Sequence, residues 1–272
     1  MHVSKKQGYG YLTFALNTGD TDYESMAMLF ALSVKATHAH KMPMAVIVND
    51  TDSCRQDLYD VFDHVIQVPK REVVNNMQYE ALICDVTPFK ETVKFESDML
   101  LTSDISIWQH HYRNYDLCFT SYVLNNRQEK ANDKRYRTFI RKNLLPNVYS
   151  GLYYVRTTRS TVMLMKEVWR IFSDWHSEIK KYRLWEKHEP STDFAMSMAL
   201  NNLNFDNVCD KSPLPTFVHN KPAITGEMRY WSIPDPQSVI VNGQRLSYPW
   251  HYHDKHICTP ELIARYKKHG NI

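Results

Sequence analysis

Thr87-Pro88-Phe89-Lys90-Glu91-Thr92-Val93-Lys94-Phe95-Glu96-Ser97-Asp98-Met99-Leu100 is the stretch that decides how this chain folds. Thr87-Pro88-Phe89 reads as a turn, because proline fixes its own φ and keeps the residue before it out of the helical region. Val93-Lys94-Phe95 then reads as a short strand, with Glu96-Ser97-Asp98 directly at its carboxyl end. Two carboxylates one residue apart at a strand end can reach one hard divalent cation. Mg²⁺ or Mn²⁺ held in this way completes its shell with substrate phosphates and water. An acidic pair at this spacing is common on surfaces, so its surroundings decide its meaning.

Upstream, strands alternate with helices. Tyr11–Leu16 is a β-rich run that stops at the turn Asn17-Thr18-Gly19-Asp20. Thr21 and Glu24 have capping-box spacing, and Met26 to Ala36 reads as a helix. The apolar run Met44–Val48, a short helix over Cys54–Phe62 and the strand Val65–Val68 follow. Downstream, Tyr115–Val123 and Gly151–Val155 read as strands, and Thr161 to about Lys181 as an amphipathic helix. Ser191-Thr192-Asp193 would cap a helix running to Leu203, and the proline-dense last 60 residues read as a loop-rich closing segment. The alternation predicts an α/β domain with a mostly parallel central sheet flanked by helices. In such sheets ligands bind beyond the carboxyl ends of the strands, where Glu96 and Asp98 would sit.

Composition removes other chemistries. Only seven of 272 residues are glycine, so no phosphate loop is possible. Gly8-Tyr9-Gly10 lacks the third glycine of a dinucleotide fingerprint, and neither G-x-S-x-G nor H-E-x-x-H occurs. The five scattered cysteines have no zinc-knuckle spacing and read as reduced thiols. The longest uncharged apolar run, Ser25 to Val34, is half a membrane span, so a cytoplasmic protein without a transmembrane segment is expected. Net charge is +3 but unevenly spread: residues 1–104 carry −6 and residues 105–190 carry +8. The excess gathers at Arg127, Lys130, Lys134, Arg135, Arg137, Arg141 and Lys142, with Tyr136 and Phe139 interleaved. It reads either as a solvated basic surface or as a site for a polyanion.

The stretch from Thr87 to Leu100 resembles nucleotide-sugar glycosyltransferases of the GT-A fold, most closely the glycogenin-type group. Those enzymes share the T-P-[FY]-x-x-T turn, the hydrophobic strand and an acid-x-acid motif followed by Met-Leu. Here Glu96 stands where Asp is commoner. Phe14-Ala15-Leu16-Asn17, followed by Tyr23 and the helix containing Ser33, resembles the family's nucleotide-binding start and implies Leu16, Asn17 and Asp22 as donor contacts. Tyr149-Ser150-Gly151 is similar to its acceptor-side strand, and Pro190-Ser191-Thr192-Asp193 to its acidic helix start. His251-Tyr252-His253-Asp254-Lys255 resembles the C-terminal element in which a histidine completes the metal site and a lysine pairs with the diphosphate. The family's usual glycine and trailing Pro-Trp are missing there. His253 ranks ahead of His251 as ligand, and His219-Asn220-Lys221-Pro222 is a rival version of the element.

The resemblance implies a metal-dependent transfer of sugar from a UDP-sugar to a hydroxyl. Glu96, Asp98 and a histidine would hold Mn²⁺ or Mg²⁺, Lys255 would neutralise the departing diphosphate, and Asp193 would orient the acceptor or the sugar and is the candidate base. Residues 1–104 would form the nucleotide-sugar half and 105–272 the acceptor half of one continuous domain. The chain also resembles glycosyltransferases of tailed phages, which implies 5-hydroxymethylcytosine in DNA as acceptor, held by the basic segment. Transfer to lipopolysaccharide or another glycan is the alternative, and a non-catalytic binding module the alternative of another class. A sugar-nucleotide pyrophosphorylase is disfavoured by the missing glycine-rich loop. Sugar identity, anomeric outcome and oligomeric state are not legible.

Overall fold

The turn that opens the deciding stretch is closed by its two threonines. Thr87 Oγ1 lies 2.7 Å from Thr92 Oγ1 and accepts the Phe89 N–H at 3.2 Å, which aims the chain into a long central strand. The structure, a computed structural model, describes residues 6–19, 21–183, 188–205, 208–209, 214–225 and 230–270.

In chain order the first elements are β1 (Gln7–Ala15), α1 (Tyr23–Thr37), β2 (Met44–Val48), β3 (His64–Gln67), α2 (Ile83–Val86) and β4 (Phe89–Glu96). There follow β5 (Met99–Leu100), α3 (Trp108–Tyr112), β6 (Leu117–Thr120), α4 (Thr138–Lys142) and β7 (Tyr149–Arg156). Next come α5 (Arg159–Ser173), α6 (Trp175–Ile179), α7 (Thr192–Leu203), β8 (Val208–Cys209), β9 (Val218–His219) and α8 (Pro222–Thr225). The chain closes with β10 (Trp231–Asp235), β11 (Ser238–Val241), β12 (Gln244–Arg245), β13 (Trp250–His251) and α9 (Pro260–Gly270).

Seven strands form one mixed sheet in the order β3-β2-β1-β4-β7-β6-β8, in which only β7 runs against the rest. The strand expected over Val93–Phe95 is in fact eight residues long and central, because Gly10 on β1 lets the Phe89 ring close over it. A Cβ at position 10 would stand 2.5 Å from that ring.

Alternation along the strands sends Tyr11, Val93, Phe95, Leu152 and Tyr154 to one face, with α1 and α9. Leu12, Phe14, Tyr153 and Val155 go to the other, with α5 and α7. Lys94 and Glu96 lie on that second face, opposite Leu12 and Phe14 in register. α1 is apolar all round because it is covered on both sides, with Met26 to Val34 buried throughout.

Three expected boundaries move for local reasons. The cap of α1 is Asp22, not Thr21: its carboxylate accepts the Ser25 N–H at 2.9 Å. The helix expected from Thr161 to Lys181 is two helices, because Asp174 ends α5 and starts α6. The loop-rich closing segment contains the three-strand sheet β10-β11-β12 and supplies β9 and β13 to a second, β5-β13-β9. The second one builds the site.

Candidate active site

β13 is inserted between β5, which follows Asp98 directly, and β9. His251 is thereby the register partner of both Met99 and His219. This places a side chain from position 251 on carboxylates at 96 and 98. His251 Nε2 lies 3.0 Å from Glu96 Oε2 and 3.2 Å from Asp98 Oδ2, and Lys255 Nζ donates to the same Asp98 oxygen. Asp98 and His251 are buried, while Glu96 keeps about a third of its side chain open. The three ligand atoms lie within 4.8 Å of one another. Gly151 on β7 makes room for them, since a Cβ there would stand 3.2 Å from Glu96 Oε2 and 3.0 Å from Met99 Cε.

Burial alone would push both carboxyls up, but the His251 imidazolium and, at Asp98, the Lys255 ammonium hold them well below the carboxylate range. The reciprocal effect raises His251, against the desolvation that opposes its charge. Two carboxylate oxygens converge on one point with an imidazole nitrogen that becomes a ligand once it gives up its proton, a set that suits a divalent cation. The residues fit Mn²⁺ or Mg²⁺, with the imidazole favouring Mn²⁺.

Two cavities meet at Glu96. One, about 430 Å³, lies over the carboxyl ends of β1 and β4 and is lined by Phe14, Leu16, Tyr23, Asn76, Asp98 and Lys255 among others. The other, about 240 Å³, runs between β7 and α7 past Tyr136, Arg137, Tyr149, Ser150 and Asp193. Met77, Glu80, Glu96, His251 and His253 line both.

Of the expected donor contacts, Leu16 lines the larger cavity. Asn17 is exposed and accepts the Glu24 N–H at 3.2 Å, so it helps to start α1. Asp22 is the α1 cap and lines a separate cavity of about 460 Å³ between α1 and α9. His253, ranked first among the histidines, stacks on His251 and His219 at 4.6 and 5.1 Å, and the imidazole on the carboxylates is His251.

Asp193 sits in the first turn of α7, whose N-cap is Ser191. Its Oδ1 accepts from Ser150 N and Oγ, both at 2.7 Å, and its Oδ2 from Arg137 Nη2 at 2.6 Å. Arg137 corrects the basic-surface reading: it is 1% exposed, lies 3.7 Å over the Tyr149 ring and holds Asp193. Arg127, Lys130, Lys134, Arg135, Arg141 and Lys142 are exposed.

Sequence reasoning missed Glu80 and Lys94. Lys94 Nζ is buried, 2.8 Å from Glu80 Oε2, and donates to Ser150 O at 3.0 Å. Burial pushes the Glu80 carboxyl up to about 7, with Lys94 pulling the other way. A lysine between Val93 and Phe95 in the central strand, two residues before Glu96 and on its face, was the available signal.

No family model and no curated protein matches the chain. Solved structures do. The galactosyltransferase LgtC, in complex with donor and acceptor sugar analogues, superposes with a TM-score of 0.51 at 12% identity, over 96% of this chain and 95% of that one. The fold is of the GT-A type. The bifunctional glycosyltransferase WbbM matches with a TM-score of 0.50 at 9% identity, over 81% of this chain. The chain spans 41% of the WbbM chain. No helix among the described residues of this GT-A fold is long and apolar enough to cross a membrane.

Proposed function

We propose that this chain is a metal-dependent glycosyltransferase that moves a sugar from a nucleoside diphosphate, UDP first, to a hydroxyl. The observation that carries the reading is the convergence of Glu96, Asp98 and His251 where the two cavities meet. A divalent cation held by these residues would neutralise charge on the departing diphosphate. Lys255, on Asp98 and at the rim of the larger cavity, supplies a second positive charge on that side. The larger cavity would take the donor, with Leu16 and Phe14 against the nucleotide.

The smaller cavity would take the acceptor. Arg137 and Ser150 already engage both oxygens of Asp193, which suits it to orient the acceptor rather than to remove a proton. Glu80, shared by both cavities and titrating near neutrality, is the carboxyl we assign to accept the hydroxyl proton.

For the acceptor itself, the six exposed cations between Arg127 and Lys142 support a polyanion, and 5-hydroxymethylcytosine in phage DNA is the reading we retain. A glycan acceptor is supported by the likeness to LgtC, which was solved with an acceptor sugar analogue. Incubation with Mn²⁺, pooled UDP-sugars and DNA containing hydroxymethylcytosine, followed by mass analysis of the nucleosides, separates the two. A sugar-mass gain on the modified base, lost in Asp98→Asn, is the expected result. UDP release with unchanged DNA moves the acceptor to a glycan, and no UDP release from any donor refutes the enzyme reading.

A further inference from the structure

The sequence carries two versions of the C-terminal histidine element, one at His219 and one at His251–His253, and the fold brings both to one place. β9 and β13 are neighbours, and His219 and His251 are register partners, so their imidazoles leave the same face of the strand pair. His253, two residues on, carries a third imidazole against the other two, on a left-handed backbone with φ at 60°.

The three ring centroids are 4.7, 4.6 and 5.1 Å apart with planes 13°, 24° and 22° from parallel, so the rings stack and would turn about their side-chain bonds to bring one nitrogen each onto an ion. Three imidazoles ligating one ion through one nitrogen each, at about 2.1 Å, would put their centroids about 4.5–5.5 Å apart. One ring nitrogen from each histidine lies within 4.8 Å of the others. Nδ1 of His219 and Nδ1 of His251 are buried without a hydrogen-bond partner, and each residue is only 5% exposed. Each buried polar atom in this state needs an explanation, and a bound ion is one that serves both nitrogens at once.

We propose that His219, His251 and His253 form a nitrogen-donor cation site that shares His251 with the Glu96–Asp98 centre and takes a borderline transition ion such as Co²⁺, Ni²⁺ or Zn²⁺. All-imidazole donors suit those ions, whereas carboxylate and water suit Mg²⁺ and Mn²⁺. Because His251 is shared and a neutral imidazole has one free lone pair, an ion bound at its Nδ1 leaves the proton on Nε2, which then donates to Glu96 and Asp98 and cannot ligate an ion held between them. Zn²⁺ or Ni²⁺ at the triad therefore opposes Mn²⁺ at the neighbouring centre. The site deepens the proposed function but does not depend on sugar transfer.

The test is a titration of the whole protein with Co²⁺, followed by its visible absorption, beside Mn²⁺ binding followed by electron paramagnetic resonance. His219→Gln and His253→Asn are expected to weaken Co²⁺ binding about 10–100-fold and to leave Mn²⁺ binding in place. The paired change Glu96→Gln with Asp98→Asn should abolish Mn²⁺ binding and keep the Co²⁺ spectrum. Asparagine tolerates the left-handed backbone, so His253→Asn decides the matter if the buried His219 variant fails to fold. Co²⁺ binding that survives His253→Asn unchanged, or that vanishes only with the carboxylates, overturns the proposal. An intact Co²⁺ site in a protein that turns over no UDP-sugar would instead sink the functional reading alone.

Discussion

On the β1 side of Glu96 the sheet is a parallel run, β3-β2-β1-β4, packed on both faces by side chains such as Ala45, Val46, Ile47 and Val48. On the β7 side the direction reverses, and a buried polar chain runs from Glu80 through Lys94 and Ser150 to Asp193 and Arg137. The first region is held by burial, which is non-directional and tolerant of exchange among similar side chains. The second is held by paired charges, where loss of one partner strands the other in a medium that cannot solvate it. The chemistry sits on the seam, where a rigid apolar frame meets groups that can bind charge and hydroxyls.

The comparison breaks most visibly at Arg137. Arg137→Met leaves Asp193 without its cation and should cost about 3–5 kcal/mol. Thermal unfolding should show a fall in Tm of about 10 °C; an unchanged Tm would make the polar side no more fragile than the apolar one. Next comes Asp98→Asn, expected to lower kcat about 10²–10³-fold with the circular dichroism spectrum unchanged, measured as UDP release. Gly151→Ala crowds Glu96 from the β7 side and should weaken Mn²⁺ binding about tenfold in equilibrium dialysis. Wild-type binding in that variant would show that the clearance at Gly151 is idle.

Two pH effects sharpen the contrast. Glu80 has a raised pKa, near 7, so as a proton acceptor it is competent only above that value, and kcat/KM should rise through pH 7. In Glu80→Gln that limb should disappear. On the apolar side, hydrogen bonds from Arg55 lead, with Lys267 adding to them, in lowering Asp57 to about 2, against the opposing effect of burial. A depressed carboxyl stabilises the fold above its unfolded pKa near 3.8 and loses that contribution as pH falls through about 2. Asp57→Asn should flatten the acid dependence of urea unfolding by on the order of 1–2 kcal/mol, the smallest change of the five.

Periodicity and turn chemistry made the parallel side readable. Met44–Val48 is a strand over its expected bounds, and Ser191 caps α7 as its spacing implied. The place of Glu96 and Asp98 at the carboxyl end of a central strand was legible because a turn, a strand and an acid pair follow one another without interruption. His251 was not separable from His253, since the choice depends on the register of β13 against β5, more than 140 residues away in sequence, and β9, about 30 away. Arg137 reads as one more cation in a basic run, and only the path of β7 and α7 reveals that it is buried. Asn17 and Asp22 both satisfy amides at the start of α1, a duty that short polar side chains perform as well as ligand contact, so sequence alone does not separate the two.

The central claim is that Glu96, Asp98 and His251 hold a cation on which a nucleoside diphosphate docks. Calorimetric titration of UDP into the wild-type protein, with and without Mn²⁺, and into Asp98→Asn with Mn²⁺, tests it directly. UDP binding that requires Mn²⁺ and is lost in Asp98→Asn is the predicted result. UDP that binds equally well without Mn²⁺, or equally well to Asp98→Asn, would contradict it.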